Sequence, residues 1–124
     1  MNLVDSSGWL EYFADGPNAQ NFSRPIETVS RLIVPTISIY EVFKRVLMQR
    51  GEDLALQAIA VMQQGLVIGL DVSISLQAAK IGVDLKLPLA DSIILATARS
   101  RGATVWTQDA DFRNIQGVQF FPKK

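Results

Sequence analysis

Residues 1–13 read MNLVDSSGWLEYF, and this stretch sets the pattern for the rest of the chain. The apolar segment over residues 2–5 predicts a short strand that runs into Asp5 and then into a helix capped by Ser6 or Ser7. A bare carboxylate at the end of a buried strand is costly. Asp5 therefore has two possible roles. Its charge could interact with the positive end of the next helix and stabilise it by about 0.3–1 kcal/mol, or Asp5 could be one member of a functional cluster.

The size and composition indicate one domain over residues 1–124 with a buried core. The chain has 124 residues, of which 48% are hydrophobic and 19% charged. No apolar run reaches the ~18 residues that a membrane helix needs, so we expect a soluble, cytoplasmic protein with no membrane partner. Because 12 basic residues balance 12 acidic ones, a polyanion would have to be bound by a local patch.

Two residue types are absent, and their absence narrows the chemistry. The chain has no Cys and no His. Disulfides and thiolate nucleophiles are excluded, as are the commonest general base and the commonest transition-metal ligand. An enzyme of this composition would depend on carboxylates, hydroxyls, Lys, Arg or a bound hard cation.

Apolar strands alternate with helices along the chain. Further strands are predicted at 31–36, 66–70, 103–107 and 118–121. Helices are predicted at 6–17, 38–50, 52–65, 71–86 and 88–102, with a polar helix or loop at 18–29. Continuous apolar strands of this kind predict an α/β fold with a parallel sheet covered on both faces, where ligands bind beyond the carboxyl ends of the strands.

Four acids fall near that edge of the predicted sheet. Asp5 ends the first strand, Glu41 lies early in the helix after the second, Asp91 lies in the first turn of the helix from 88, and Asp109 follows the fourth strand. The remaining acids, Glu11 among them, are typical of caps, turns or solvated surface. The positions of the four predict a carboxylate cluster.

Structural roles also fit some of these acids. The segment SIYE fits a capping box with Ser38 as N-cap and Glu41 at the third position, and Arg45 has ion-pair spacing from Glu41. Asp109 lies in a turn-like DAD segment, where Asp often bonds the local backbone. Asp91 is harder to explain in this way, because it heads the apolar stripe that should face the core.

Four carboxylates at one edge would repel one another unless a cation joined them. Sites made only of oxygen ligands suit Mg²⁺ or Mn²⁺, and Mg²⁺ readily takes phosphate oxygens as further ligands. The lack of His disfavours cleavage by paired imidazoles. The residues therefore predict metal-assisted hydrolysis of a phosphate link.

The chain resembles the PIN-domain ribonucleases, and most closely the VapC-like toxins of type II toxin–antitoxin pairs. The matching segments are VDSSGWLEYF (4–13), TISIYEVFKR (36–45), LPLADSIILATAR (87–99) and TQDADF (107–112). The resemblance implies a PIN-like three-layer α/β/α domain with a central, mostly parallel sheet. It also implies a metal-dependent endoribonuclease that is inhibited by a cognate antitoxin and forms a homodimer.

The resemblance carries over to particular residues. It implies that the catalytic, Mg²⁺- or Mn²⁺-binding quartet is Asp5, Glu41, Asp91 and Asp109. It assigns supporting positions around the metal to Ser6, Thr107 and Asp111. The basic residues expected to contact RNA are Lys44, Arg45, Arg50, Arg99 and Arg101. Spare apolar surface on the helices at 6–17 and 38–50 predicts a groove for an antitoxin segment or a dimer contact.

Two other functions remain open at this level. A non-catalytic PIN-like scaffold would bind RNA or protein without cutting. A receiver-type phospho-signalling domain has a similar length and an acidic pocket, but it needs paired acids after the first strand, where Asp5 stands alone. It also needs a Lys after the strand at 103–107, where the sequence has none that fits.

Overall fold

Five parallel strands form the centre of the molecule. The computed structural model describes all 124 residues. Its strands are β1 (Asn2–Val4), β2 (Leu32–Pro35), β3 (Leu66–Ile68), β4 (Thr104–Thr107) and β5 (Val118–Phe120). All neighbours pair in parallel in the order β3-β2-β1-β4-β5. This order differs from the 2-1-3-4-5 order of receiver domains, so the receiver alternative is wrong.

Six α-helices cover the sheet. They are α1 (Ser6–Phe13), α2 (Ala19–Glu27), α3 (Thr36–Arg50), α4 (Glu52–Met62), α5 (Val72–Leu85) and α6 (Leu89–Ser100). Short 3₁₀ turns occur at Val29–Arg31 and Ala110–Phe112. None of the helices has both the length and the apolar character to span a lipid bilayer.

Successive strand residues bury their side chains on opposite faces of the sheet, which confirms the predicted three-layer α/β/α architecture. Leu3 and Ile33 belong to a core of 12 buried residues shared with α5 and α6. Val4 and Val34 belong to a second core of nine buried residues shared with α1 to α4. Strands buried on both faces read as continuous apolar runs, which is why the sequence predicts a parallel sheet.

Two predicted helix N-caps are wrong. The N-cap of α1 is Asp5 itself, which accepts the backbone N–H of Gly8, and neither Ser6 nor Ser7 has that role. The helix α3 begins at Thr36, so Ser38 lies inside it and its hydroxyl has no hydrogen-bond partner. The capping box proposed for Glu41 is therefore absent, and Glu41 is free for another role.

The strand β3 differs from the buried strand that the sequence predicts. Leu66 and Val67 are exposed, and only Ile68 is buried. The physical reason is position: β3 is the edge of the sheet and pairs with β2 alone. An apolar run therefore marks a strand here without marking its burial.

Gly8 allows α1 to lie close to the sheet. A Cβ at this position would come within 2.6 Å of Val4 Cγ1 and 2.8 Å of Phe22 Cδ1. The close approach places the first turn of α1, with its serines, directly over the ends of β1 and β4.

Candidate active site

A cleft of about 720 Å³ opens at the carboxyl edge of the sheet. Its lining includes all four predicted acids, Asp5, Glu41, Asp91 and Asp109. They come from four different segments, and they meet because every strand of the sheet runs in the same direction. The acids predicted to lie at one edge are therefore brought to one cleft.

Asp5 is held rigidly at the bottom of this cleft. Its Oδ1 accepts hydrogen bonds from Ser7 Oγ at 2.7 Å and from the Gly8 backbone N–H at 2.9 Å, and its Oδ2 accepts one from Thr107 Oγ1 at 2.6 Å. Burial raises the pKa of Asp5 from 3.8 to about 6, although the three hydrogen bonds act in the opposite direction. Asp5 therefore both caps α1 and contributes a buried carboxylate to the cleft.

Thr107 connects two of the acids. Its hydroxyl donates to Asp5 and accepts the backbone N–H of Asp109 at 2.9 Å. One buried side chain at the end of β4 thus fixes the Asp5 carboxylate and the start of the Asp109 turn. Ser6 has a similar part in holding Glu41, because its hydroxyl donates to Glu41 Oε1 at 2.6 Å.

Three further carboxylates converge beside Asp5. One oxygen from each of Asp91, Asp109 and Asp111 lies within 4.8 Å of the others. The Asp111 backbone N–H donates to Asp109 Oδ1 at 2.9 Å, so the turn at the end of β4 presents both acids to α6. The DAD segment signals this turn, yet the family resemblance assigns Asp111 only a supporting position.

The electrostatics of Asp91 show how closely the acids are gathered. Its pKa rises from 3.8 to about 7, first through burial and then through the charges of Asp109, Asp5, Asp111 and Glu41. No cation is among the groups that act on it. A set of oxygen ligands with uncompensated negative charge fits a divalent cation such as Mg²⁺ or Mn²⁺.

The predicted basic residues separate into two groups. Arg45 and Arg50 of α3 line the cleft. Lys44 is exposed and lies over the Tyr40 ring at 5.7 Å from its centroid, outside the cleft lining. Arg99 lies at the opposite end of α6 from Asp91, about 12 Å along the helix axis, and Arg101 directly follows the helix. Neither residue lines the cleft.

A buried polar network adds residues that the sequence interpretation missed. Asn18 donates from Nδ2 to Gln108 Oε1 and to the Pro122 carbonyl, both at 3.0 Å. Glu11, expected on the solvated surface, accepts the Asn18 backbone N–H at 2.7 Å and lines the cleft. The network anchors the chain immediately before Lys123, which also lines the cleft. No local sequence pattern links positions this far apart.

Apolar side chains from three helices also line the cleft. They are Leu10 and Phe13 of α1, Val46 of α3, and Leu54 and Val61 of α4. This apolar wall includes residues of the two helices, α1 and α3, on which the sequence predicts spare apolar surface, with α4 added to them. The cleft thus combines acidic side chains with an apolar wall.

Fold and cleft together define a parallel α/β domain with acids at the carboxyl edge of its sheet. The chain belongs to the PIN domain family, whose profile matches residues 3–118. A comparison with curated proteins finds no significant relative of this sequence.

Several solved structures share the fold. A toxin–antitoxin complex from Klebsiella pneumoniae aligns with a TM-score of 0.81 at 22% identity, over 96% of each chain. DNA-bound VapBC from Salmonella typhimurium aligns with a TM-score of 0.75 at 17% identity, over 98% of each chain. VapC20 from Mycobacterium tuberculosis, a sarcin–ricin loop cleaving toxin, aligns with a TM-score of 0.75 at 18% identity, over 90% of this chain and 92% of the other.

Proposed function

We propose that this chain is a Mg²⁺- or Mn²⁺-dependent endoribonuclease that acts as the toxin of a toxin–antitoxin pair. The observation that carries the proposal is the convergence of Asp91, Asp109 and Asp111 within 4.8 Å, beside the buried carboxylate of Asp5. The charges of all these groups act on Asp91. Membership of the PIN domain family supports the same chemistry.

The metal would be held by carboxylates from four segments of the chain. Asp91, Asp109 and Asp111 offer the three oxygens that lie closest together, and Asp5 and Glu41 complete the acidic set. A divalent cation held by these carboxylates would make water more acidic and would stabilise the negative charge of the phosphate during hydrolysis. Catalysis by carboxylates and a hard cation agrees with the absence of His and Cys from the chain.

The chain's own residues hold this arrangement in place. Thr107 and Ser6 donate short hydrogen bonds to Asp5 and Glu41, so neither carboxylate needs to reorganise when a substrate arrives. In the hydrolysis, a water oxygen bonds to phosphorus while the bond from phosphorus to the leaving ribose oxygen breaks. The attacking water gives up one proton and the leaving ribose oxygen takes up one, so no proton is gained or lost between these two oxygens.

RNA would enter past the basic residues of the cleft. Arg45 and Arg50 border the acids from α3, and Lys123 borders them from the segment anchored by Asn18. Because the chain has no net charge, these three cations are its local means of holding a phosphate backbone. With cellular RNA as its substrate, the protein would act in the cytoplasm.

The antitoxin would contact the apolar wall of the cleft. Several structural neighbours are toxin–antitoxin complexes. In this chain the apolar wall of α1, α3 and α4 lies next to Arg45 and Arg50. That combination suits an apolar segment carrying acidic side chains, and a segment seated there would block the path to the acids.

Cleavage of a fluorophore-and-quencher RNA by the purified chain tests the proposal. We expect cleavage with Mg²⁺ or Mn²⁺ and none with EDTA. Asp91→Asn should lower the rate by at least about 100-fold, the scale of losing one preorganised charged group. Asp84→Asn, which removes an exposed acid of α5, should match the parent.

Two outcomes would count against a nuclease. Metal-independent cleavage, or cleavage by Asp91→Asn at the parent rate, would show that the activity lies elsewhere. Tight RNA binding by the parent, with no cleavage under any metal, would instead identify a scaffold that binds without cutting.

A further inference from the structure

Asn18 lies at the N-cap position of α2, but its side chain does not cap the helix. An Asn at this position usually accepts a backbone N–H of the first helical turn. Here the side chain is 1% exposed, and its Nδ2 donates to Gln108 Oε1 and to the Pro122 carbonyl, both at 3.0 Å. The two partners are 90 and 104 residues away in sequence, so the amide makes tertiary contacts in place of a local one.

The amide of Asn18 is fixed in this orientation because its other polar groups also have partners. Asn18 Oδ1 accepts a hydrogen bond from Asn21 Nδ2 at 3.3 Å, and the Asn18 backbone N–H donates to Glu11 Oε2 at 2.7 Å. Turning the amide over would place its oxygen against two acceptors, Gln108 Oε1 and the Pro122 carbonyl. A buried polar group whose donors and acceptors are all paired is held rigidly.

The chain that follows β5 is held from two sides before it reaches Lys123. On one side, the Phe121 backbone N–H donates to the Thr107 carbonyl at 2.9 Å. On the other side, Asn18 binds the Pro122 carbonyl. The proline ring also fixes φ at Pro122. The backbone therefore approaches Lys123 in a set direction, and Asn18 supplies the contact nearest to that residue.

This direction brings an exposed cation to the acids, because Lys123 lines the same cleft as Asp91 and Asp109. We propose that Asn18 is a positioning residue that holds Lys123 at the cleft, where the ammonium group binds a phosphate of the RNA. The use of this cation for RNA rests on the proposed function. An unanchored Lys123 would have to be ordered when RNA binds, and the lost conformational freedom would weaken binding.

Backbone ¹⁵N relaxation of the full chain measures the anchoring without RNA. We expect the order parameter of the Lys123 amide to exceed about 0.7 in the parent and to fall below about 0.6 in Asn18→Ala. Asn18→Ser should give the same fall, because one shorter hydroxyl cannot donate to both former partners, while Ser remains a good N-cap for α2. Gln20→Ala is the matched control, since it removes an exposed amide from the same helix and should leave Lys123 as ordered as in the parent. Circular dichroism should show all three variants folded.

Fluorescence anisotropy of a labelled single-stranded RNA with the Asp91→Asn chain measures the consequence for binding. In that chain, Asn18→Ala should weaken binding about fivefold at 0.1 M salt, the effect expected from the loss of one phosphate contact. Adding Lys123→Ala to Asn18→Ala should weaken binding no further, because both substitutions remove the same contact. Gln20→Ala should leave the affinity unchanged. A role of Asn18 in stability alone would make its effect independent of Lys123.

Each measurement has an outcome that overturns the proposal. A Lys123 amide that is already mobile in the parent, or that stays ordered in both Asn18→Ala and Asn18→Ser, overturns the anchoring. An RNA affinity that Asn18→Ala leaves unchanged, or losses from Asn18→Ala and Lys123→Ala that add in the double variant, overturn the link from Asn18 through Lys123 to the RNA. Neither measurement involves cleavage, so a parent that binds RNA in this way without cutting it would count only against the proposed nuclease.

Discussion

Replacing Asp5 by Asn should make the metal-free protein more stable while removing its activity. The amide has the shape of the carboxylate, and its oxygen can still accept from Ser7 and from the Gly8 N–H. Its NH₂ would donate to Thr107 Oγ1, which now donates to Asp5 Oδ2. The hydroxyl can accept this bond by turning its own proton away, so the local fold is expected to survive.

The size of the effect follows from the burial of Asp5. Its pKa in the folded chain is about 6 against an ordinary 3.8, so keeping it ionised above neutral pH costs about 3 kcal/mol relative to the unfolded chain. Asn removes this cost but also loses a favourable charge at the start of α1. We expect the free energy of unfolding to increase by about 1–3 kcal/mol, which raises Tm by roughly 4–12 °C for a chain of this length.

Thermal unfolding in EDTA, followed by circular dichroism near pH 8, measures the gain. Asp71→Asn is the matched control. Asp71 caps α5 through the Ile74 backbone N–H at 2.8 Å, as Asp5 caps α1, but it is exposed. Since Asp and Asn are equivalent N-caps, this control should leave Tm within about 2 °C of the parent. An Asp5→Asn variant no more stable than the parent in EDTA, or one still stabilised by Mg²⁺ as the parent is, would refute the reasoning.

Three further predictions concern pH, the basic residues and packing. The folded-state pKa values of Asp5 and Asp91, about 6 and about 7, lie above the unfolded value of 3.8. The stability that these two groups contribute is therefore fully present below about pH 4 and is lost as the pH rises through 6 and 7. Because Mg²⁺ binds the ionised carboxylates, the Tm increase that it gives should be larger near pH 8 than near pH 5. A Tm increase that does not depend on pH would contradict this. In the Asp91→Asn chain, Arg45→Ala and Lys123→Ala should each weaken binding of single-stranded RNA about fivefold at 0.1 M salt. Each should also reduce the slope of log binding constant against log salt concentration by about 0.7, whereas Arg99→Ala at the far end of α6 should do neither. Anisotropy titrations at several salt concentrations measure this, and equal effects of all three substitutions would show that the cleft does not guide the RNA. Gly8→Ala should lower the free energy of unfolding by about 1–3 kcal/mol, because the new Cβ would lie 2.6 Å from Val4 and 2.8 Å from Phe22. Chemical denaturation measures this, and a midpoint equal to the parent's would show that α1 can move away from the sheet at little cost.

The alternation of strands and helices could be predicted from the sequence because it depends on local patterns. Apolar runs mark the strands, and the changes of period between them mark the helices. The N-cap of α5 is another local feature, because the side chain of Asp71 accepts the Ile74 backbone N–H three residues further on. Where tertiary contacts compete with a local pattern, the prediction is wrong, as at Ser38, whose capping box with Glu41 is replaced by a bond from Ser6.

The candidate site likewise has one part that could be predicted from the sequence and another that could not. Parallel strands place all their carboxyl ends at one edge, so the sequence order alone predicts that Asp5, Glu41, Asp91 and Asp109 lie near one another. Which oxygens actually converge depends on the turn after β4, which brings Asp111 within 4.8 Å of Asp91 and Asp109. Similarly, α6 is long enough to carry Arg99, and Arg101 just after it, away from Asp91 in its first turn.

The sequence by itself therefore determined the class of fold and the set of acids, because both follow from residue type and spacing along the chain. Only the tertiary structure decided which side chains hold those acids and which cations reach the cleft. Thr107 and Asn18 acquire their roles through contacts with segments distant in sequence. Such contacts depend on how layers pack against one another, which periodicity within a single segment does not encode.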